Sequence, residues 1–204
     1  RNNRAQLRRQ QTKSRLSILS RHTVRTALNH LEYQGYIYKE QGSGSFVSEK
    51  PDKKPKKEIG VITTYISGYI FPTIIRGIEN ELSNHGYSMI LASTNNDHVL
   101  EKRALEMMQS RGVDGLIIDP TKSAFYNPNI GYYLKIKDLG IPMVMINATY
   151  DEIDIPMVSL DDYQASYDLT EYLIKQGHTE IGAIMKVDDR QGKERLKGYI
   201  NACF

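Results

Sequence analysis

Side chains that could do acid–base, nucleophilic or metal chemistry are few in this sequence, and their spacing suits that chemistry poorly. The densest carboxylates are the pairs Asp161-Asp162 and Asp188-Asp189, a grouping that could serve a metal ion or general acid–base work. Aspartates that open a helix also accept its free N–H groups and meet the positive end of its dipole, so capping competes with catalysis as their reading. Histidines 22, 30, 85 and 98 form no ligand spacing, and His178 follows Gly177 as a turn residue does. Cys203 is the lone cysteine, which excludes a disulfide framework or a multi-cysteine zinc site. No G-x-S-x-G elbow, dinucleotide fingerprint or phosphate-loop motif is present. An enzyme is therefore not expected, nor a cofactor or a metal. A different set stands out: Tyr65 with the loop 66–71, Asn95 and Asn96, Asp119, Asn147, and Lys186 with Asp188 each follow an apolar run. Acids and amides that bind hydroxyls, beside rings that cover an apolar face, suit a neutral polyhydroxylated ligand.

The elements needed to bring these residues together are legible. Apolar runs at 58–65, 87–93, 115–119, 142–147 and 181–186 read as buried strands, and amphipathic stretches at 71–85, 97–111, 131–139 and 161–176 as helices. Gly86, Gly112, Gly140 and Gly177 directly follow those four helices, where a left-handed terminating residue is favoured. Strands alternating with helices predict an α/β fold with a doubly wound parallel sheet. In such a sheet ligands lie beyond the carboxyl ends of the strands, which is where the polar set falls.

Charge divides the chain. Residues 1–58 hold 14 Lys/Arg against 5 Asp/Glu, a net of +9, whereas 59–204 hold 13 against 19, a net of −6. A basic module that meets a polyanion, joined to an acidic globular one, is the natural reading. Between them Ser48 to Glu58 (SEKPDKKPKKE), with two prolines, five lysines and no aliphatic residue, reads as a linker, or as a run that brushes phosphates. Boundaries follow at 1–47, 48–57 and 58–204. No stretch nears the roughly 18 apolar residues of a membrane span, and no apolar signal segment opens the chain.

Within the basic module, Ser20 suits a helix N-cap, and Val24, Ala27, Leu28 and Leu31 form one apolar stripe up to Gly35. Arg21, His22, Thr23 and Arg25 lie on the first turns, where they could read a major groove or simply form a solvated face. A two-stranded hairpin follows, turning at Gly42-Ser43-Gly44, and could lay Gln41 and the glycine backbone along a duplex.

The residues SRHTVRTALNHLEYQGYIYKEQGSGSFV resemble the GntR-type winged helix-turn-helix, whose pattern runs S-R-x-T-V-R-x-A-L, then L-x-x-x-G, then G-x-G-S/T-F/Y-V. The resemblance implies that Arg21, Thr23 and Arg25 contact double-stranded operator DNA from a recognition helix, with Gly44 at the wing tip. Residues 1–19 do not match that family and lack its apolar supporting helices, so a truncated or misread segment is expected there. From 58 to 200 the sequence resembles the effector domain of LacI/GalR-type repressors, a periplasmic-binding-protein fold, through DGLI, IPMVMIN, DDYQA, GHTEI and RLKGY. That resemblance implies an effector site at Tyr65, Tyr69, Phe71, Asp119, Asn147, Gln191 and Arg195, to which the placement beyond the strand ends adds Lys186 and Asp188. The family commonly has Asp where Asn147 stands. The stretches DPTKSA, NPNIGYYL, INATY and DDRQG are similar to arabinose-responsive members of the group.

The expected function is therefore repression of pentose-use genes by a cytoplasmic homodimer released from DNA by a sugar, L-arabinose first among candidates. The alternative is a sugar-binding module without DNA-dependent regulation. A sensor domain of this type that stops at residue 204 is expected to be incomplete, and this chain alone to bind arabinose poorly or not at all.

Overall fold

A computed structural model describes residues 21–33, 35–40, 42–48 and 56–204. Ser20, Gln41, residues 1–19 and the centre of the linker lie outside the described residues, and Arg21 is described in its backbone only. The amino-terminal elements are helix α1 (Arg21–Tyr33) and an antiparallel hairpin of β1 (Ile37–Glu40) and β2 (Gly44–Val47). Lys39 ties strand to helix, bonding Asn29 Oδ1 at 2.8 Å and pairing with Glu32, while Tyr38 stacks on Phe46 with ring centroids 5.5 Å apart. The apolar stripe expected to be buried is not: Val24 is 42% and Leu31 38% exposed. The reason is geometric: among the described residues α1 packs on the hairpin, whose buried residue is Ile37, and reaches the Asp138 carbonyl through His30 Nδ1 at 3.1 Å, and neither contact covers Val24 or Leu31.

From residue 58 the chain builds a five-stranded parallel sheet in the order β4-β3-β5-β6-β7. The strands are β3 (Glu58–Thr63), β4 (Ser88–Ser93), β5 (Gly115–Ile118), β6 (Met143–Ile146) and β7 (Met157–Val158). Helices α2 (Phe71–Asn84), α3 (His98–Arg111) and α4 (Ile130–Asp138) make the crossovers. The expected strands and helices between 58 and 147 match to within one or two residues at each end. Successive steps leave β3 in opposite directions, to β4 and then back across to β5. Right-handed crossovers therefore put α2 on one face of the sheet and α3 with α4 on the other. β3 and β5 are covered on both faces, and their runs Val61-Ile62 and Leu116 to Ile118 are accordingly continuous and apolar. Leu105 and Met108 of α3 bury completely against Ile62, Leu116, Ile118 and Met145.

Helix ends follow the sequence. Asp97 caps α3 by accepting from Val99 N at 2.8 Å and Leu100 N at 3.0 Å, and those bonds hold its carboxyl below the ordinary value. Gly112 closes it at φ 64°, its N–H reaching back to Met108 and Gln109. Gly86, Gly140 and Gly177 take positive φ in the same way.

After β7 come α5 (Asp162–Lys175), a stretch without regular structure over 178–186, and α6 (Arg190–Cys203). The run 181–186, expected as a buried strand, pairs with no strand among the described residues, and Ile184 is fully exposed. An extended apolar segment becomes a strand only against a neighbour, which none of the described elements supplies. β7 was not foreseen, since two residues carry no readable period. Helices α5 and α6 lie against each other at Gly198, where an added Cβ would collide with the backbone of Tyr163 and Tyr167. Gly198→Ala is expected to destabilise this pair by about 1–3 kcal/mol through overpacking, read as a lower urea midpoint at unchanged slope.

Candidate functional site

The turn at the end of each strand supplies part of one cavity. β3 runs into Thr64 and Tyr65, and α2 begins at Phe71; the Tyr65 and Phe71 rings meet edge to face at 5.8 Å. β4 ends in Asn95 and Asn96, both at positive φ, β5 in Asp119, and β6 in Asn147, at φ 68°. Asparagine tolerates the left-handed region better than most residues, which suits it to these turns.

Asp119 is the centre of the first wall. It is 6% exposed, and its Oδ2 accepts Thr64 N at 3.1 Å and the Thr64 hydroxyl, while Oδ1 accepts Asn147 Nδ2 at 2.8 Å. Burial pushes its carboxyl above the ordinary value, against the opposing pull of the Thr64 and Asn147 bonds and the Lys186 charge. An amide suits position 147, because it donates to Asp119 where a second carboxylate would repel it.

The opposite wall comes from the segment around α6. Lys186 lies 3.2 Å from Asp188 Oδ1 and 3.1 Å from Asp189 Oδ2. Burial works against the Lys186 charge, but the two aspartates outweigh it and raise its pKa. Asp188 is likewise opposed by burial yet held below the ordinary value by Lys186 and by Asn96, whose Nδ2 donates to it at 2.6 Å. Arg195 donates from Nε at 2.8 Å and Nη2 at 2.7 Å to Oδ1 of Asp162, a carboxylate 6% exposed. Burial lowers the Arg195 pKa, and Asp162, with a smaller contribution from Tyr69, more than restores it.

Between the walls is a cavity of about 250 Å³. Of the expected effector residues, Tyr65, Tyr69, Phe71, Asp119, Asn147, Lys186, Gln191 and Arg195 line it. Asp188 does not; it stands behind Lys186 and fastens Asn96 across the cleft. Tyr69 is 81% exposed at φ 56°, a ring at the rim. The reading from sequence missed Thr64, Pro120, Ser123 and Ala148 in the lining, each without a side-chain type that marks it in isolation, and it chose Asp188 where its neighbour Asp189 lines the cavity. The four aspartates differ in their work: Asp161 caps α5, accepting from Gln164 N, Asp189 both caps α6, accepting from Gly192 N, and pairs with Lys186, and Asp162 and Asp188 hold Arg195 and Lys186. Among the described residues no cluster of three His, Cys, Asp or Glu could hold a metal, and no helix is long and apolar enough to cross a membrane.

At the amino-terminal end His22, Thr23 and Arg25 are exposed on the first turns of α1, and Gly44 opens β2 at φ 116°. Gln41, the remaining candidate for a DNA contact, lies outside the described residues.

Residues 56–203 match the family model for periplasmic binding proteins and the sugar binding domain of the LacI family. The chain belongs to this family. Over 186 residues it is 54% identical to the arabinose metabolism transcriptional repressor of Geobacillus stearothermophilus, covering 90% of this chain and 51% of that protein. The solved transcription regulator CcpA of Lactococcus lactis is 31% identical, with a TM-score of 0.61 over 71% of this chain and 52% of its own. A LacI-type regulator from Alkaliphilus metalliredigens, solved with D-xylulofuranose, is 26% identical, with a TM-score of 0.61 over 72% of this chain and 52% of its own. The chain spans about half the length of the curated relatives it matches.

Two outcomes test the electrostatics of this LacI-family cavity. The raised Asp119 pKa means that the native state takes up a proton before the unfolded chain does as pH falls. Stability should therefore rise as pH drops from above the folded pKa toward the ordinary value of 3.8, and Asp119→Ala should flatten that rise in urea unfolding measured across the interval. Arg195→Ala strands the Asp162 carboxylate; because the guanidinium is partly solvated, a loss of about 1–2 kcal/mol is expected, mostly recovered when Asp162 is also replaced by Asn.

Proposed function

We propose that this chain is the DNA-reading and sugar-sensing part of a transcriptional repressor of arabinose or related pentose use, and that it has no enzymatic role. The observation that carries the proposal is the cavity where Asp119, Asn147, Gln191 and Arg195 converge beside Tyr65 and Phe71. Its groups suit sugar hydroxyls: a buried carboxylate accepts, a guanidinium and amides donate, and the rings cover the C–H face. Its volume of about 250 Å³ lies near the small end of ligand pockets, which favours a monosaccharide over a nucleoside-sized ligand. The names of the relatives, an arabinose repressor above all, support the same reading and put L-arabinose first.

Residues 1–47 form the DNA-binding module in this proposal, of GntR-type winged helix-turn-helix kind, 48–57 the linker, and 58–204 the effector-binding part. A match covering 90% of the chain leaves no more than a tenth of it outside, so α1 and the hairpin fall within the likeness to the arabinose repressor. Arg21, His22, Thr23, Arg25, Gln41 and Gly44 meet operator DNA, and the repressor acts as a cytoplasmic homodimer. Sugar binding between the walls shifts their closure and so lowers operator affinity, a coupling of typically about 1–3 kcal/mol. The stripe of Val24 and Leu31, which none of the described residues covers, favours one other reading, a sugar-binding module without DNA-dependent regulation.

Two measurements on the protein expressed from its complete reading frame decide between them. On operator duplexes selected by the protein from random DNA, Arg21→Ala or Arg25→Ala should weaken binding by about 1–3 kcal/mol. Unchanged retention by both variants would rule out the winged-helix reading. In calorimetric titration L-arabinose should give saturable heat that Arg195→Ala abolishes; no heat with any pentose would rule out the sugar reading.

A further inference from the structure

Behind the cavity, and absent from the sequence reading, lies a carboxylate in the core of the sheet's α3–α4 face. Glu101, in the first turn of α3, is 0% exposed and has no ion-pair partner among the described residues. Every group that faces it in the structure is a donor. Oε1 accepts the hydroxyls of Tyr133 at 2.8 Å and Tyr150 at 2.7 Å and the N–H of Thr121 at 3.4 Å. Oε2 accepts the amides of Asn127 at 2.8 Å and Asn129 at 2.7 Å. An ionised carboxylate removed from water is very costly unless its lone pairs are filled, and here they are.

The donors are fixed in their roles. Asn127 presents its NH2 because its Oδ1 accepts Asn129 N at 2.7 Å, and Asn129 presents its own because the same nitrogen also reaches the His98 carbonyl at 2.7 Å. Burial raises the Tyr133 and Tyr150 pKa values, and the Glu101 charge adds to it, so both hydroxyls keep their protons. The Tyr150 hydroxyl also lies 2.9 Å from the Thr121 carbonyl; its single proton goes to the charged oxygen, the stronger acceptor. These donors are not scattered. Thr121, Asn127 and Asn129 belong to the segment between β5 and α4, and Tyr150 to the turn after β6. The same two segments carry Asp119 and Ser123, and Asn147 and Ala148, into the cavity.

We infer that Glu101 is a positioning residue for the effector site: its carboxylate gathers five donors and so fixes, from behind, the two strand-end segments that form the first wall. It does not touch the ligand. The inference rests on the sugar reading for the identity of the ligand, but not for the hold on the segments themselves.

Hydrogen–deuterium exchange of the ligand-free chain tests that hold without any sugar. Glu101→Gln keeps the shape but turns an amide toward fixed donors and loses the charge, so exchange over 121–129 should quicken about tenfold while α2, which does not touch Glu101, is unchanged. Tyr150→Phe and Asn127→Ala, each removing one donor, should quicken the same segment less, and they decide the matter if Glu101→Gln does not fold. Exchange over 121–129 equal to wild type in the folded variants would overturn the inference. In the product of the complete reading frame, measured at a temperature where both proteins are folded, the Kd for L-arabinose should rise about tenfold in Glu101→Gln. A loosened segment with unaltered affinity would overturn its role in the site. A wild type that binds no pentose would defeat the sugar reading alone, leaving the exchange result to decide on Glu101.

Discussion

The reversal of direction at β3 is the constraint on which the rest depends. The chain goes from β3 to β4 on one side and returns past it to β5 on the other, so the turns after β3, β4 and β5 part above the centre of the sheet and cannot fill the space between them. Parallel pairing then puts every strand's carboxyl end on the same edge, with polar turn backbone exposed toward that space. Thr64, Asn96, Asp119 and Asn147 are the residues the chain puts there, and each bonds another member of the set or its neighbours across the cleft. A crevice at this place follows from the topology; its polarity follows from the need to satisfy turn groups that no strand can reach.

Carboxylates near the crevice are answered in different ways, and the differences follow the source of the partner. The first wall contributes no cation: Asp119 is held by a hydroxyl, a backbone N–H and an amide, and Glu101 by hydroxyls, amides and an N–H. Cations enter from the other side, with Lys186 on Asp188 and Asp189, and Arg195 on Asp162. The first wall is therefore ordered by short-range, directional bonds that salt screens little, while the second carries the long flexible charged groups. A neutral ligand between them meets a fixed acceptor on one side and adaptable donors on the other.

Much of this was legible in the sequence, for definite reasons. Strands such as Val61-Ile62 and Leu116 to Ile118 are covered on both faces, so their apolar runs are unbroken, and glycines at 86, 112, 140 and 177 mark helix ends that need positive φ. Once the strands are located, topology alone identifies Asp119 and Asn147 as crevice residues. The run 181–186 has the same local signature as those strands and lacks only a neighbour, which no local pattern reveals. Asp162 looks like a cap beside Asp161, because the difference depends on Arg195 arriving from another helix, and Asp188 looks like one beside Asp189 although only Asp189 accepts from the first turn of α6. Glu101 stands among Lys102, Arg103 and Glu106 on α3 as one more charged residue; its burial is decided by donors 20 to 49 positions away.

The segment between β5 and α4 joins these threads. Glu101 holds it from below, and α6 grips it from above: Arg190 N donates to Ser123 Oγ at 3.0 Å, Lys193 Nζ to the Ala124 carbonyl at 2.5 Å, and Lys193 lies over the Phe125 ring. Gln191 and Arg195, on the same helix, face the cavity. Any movement of α6 relative to the sheet must therefore either break the contacts at 123–125 or carry that segment along, against the hold of the buried carboxylate. Closure of the cavity and order in the segment are for this reason one equilibrium. A ligand that bridges Asp119 to Arg195 biases that equilibrium through the groups it touches, and Glu101 sets how far the first wall can yield in response.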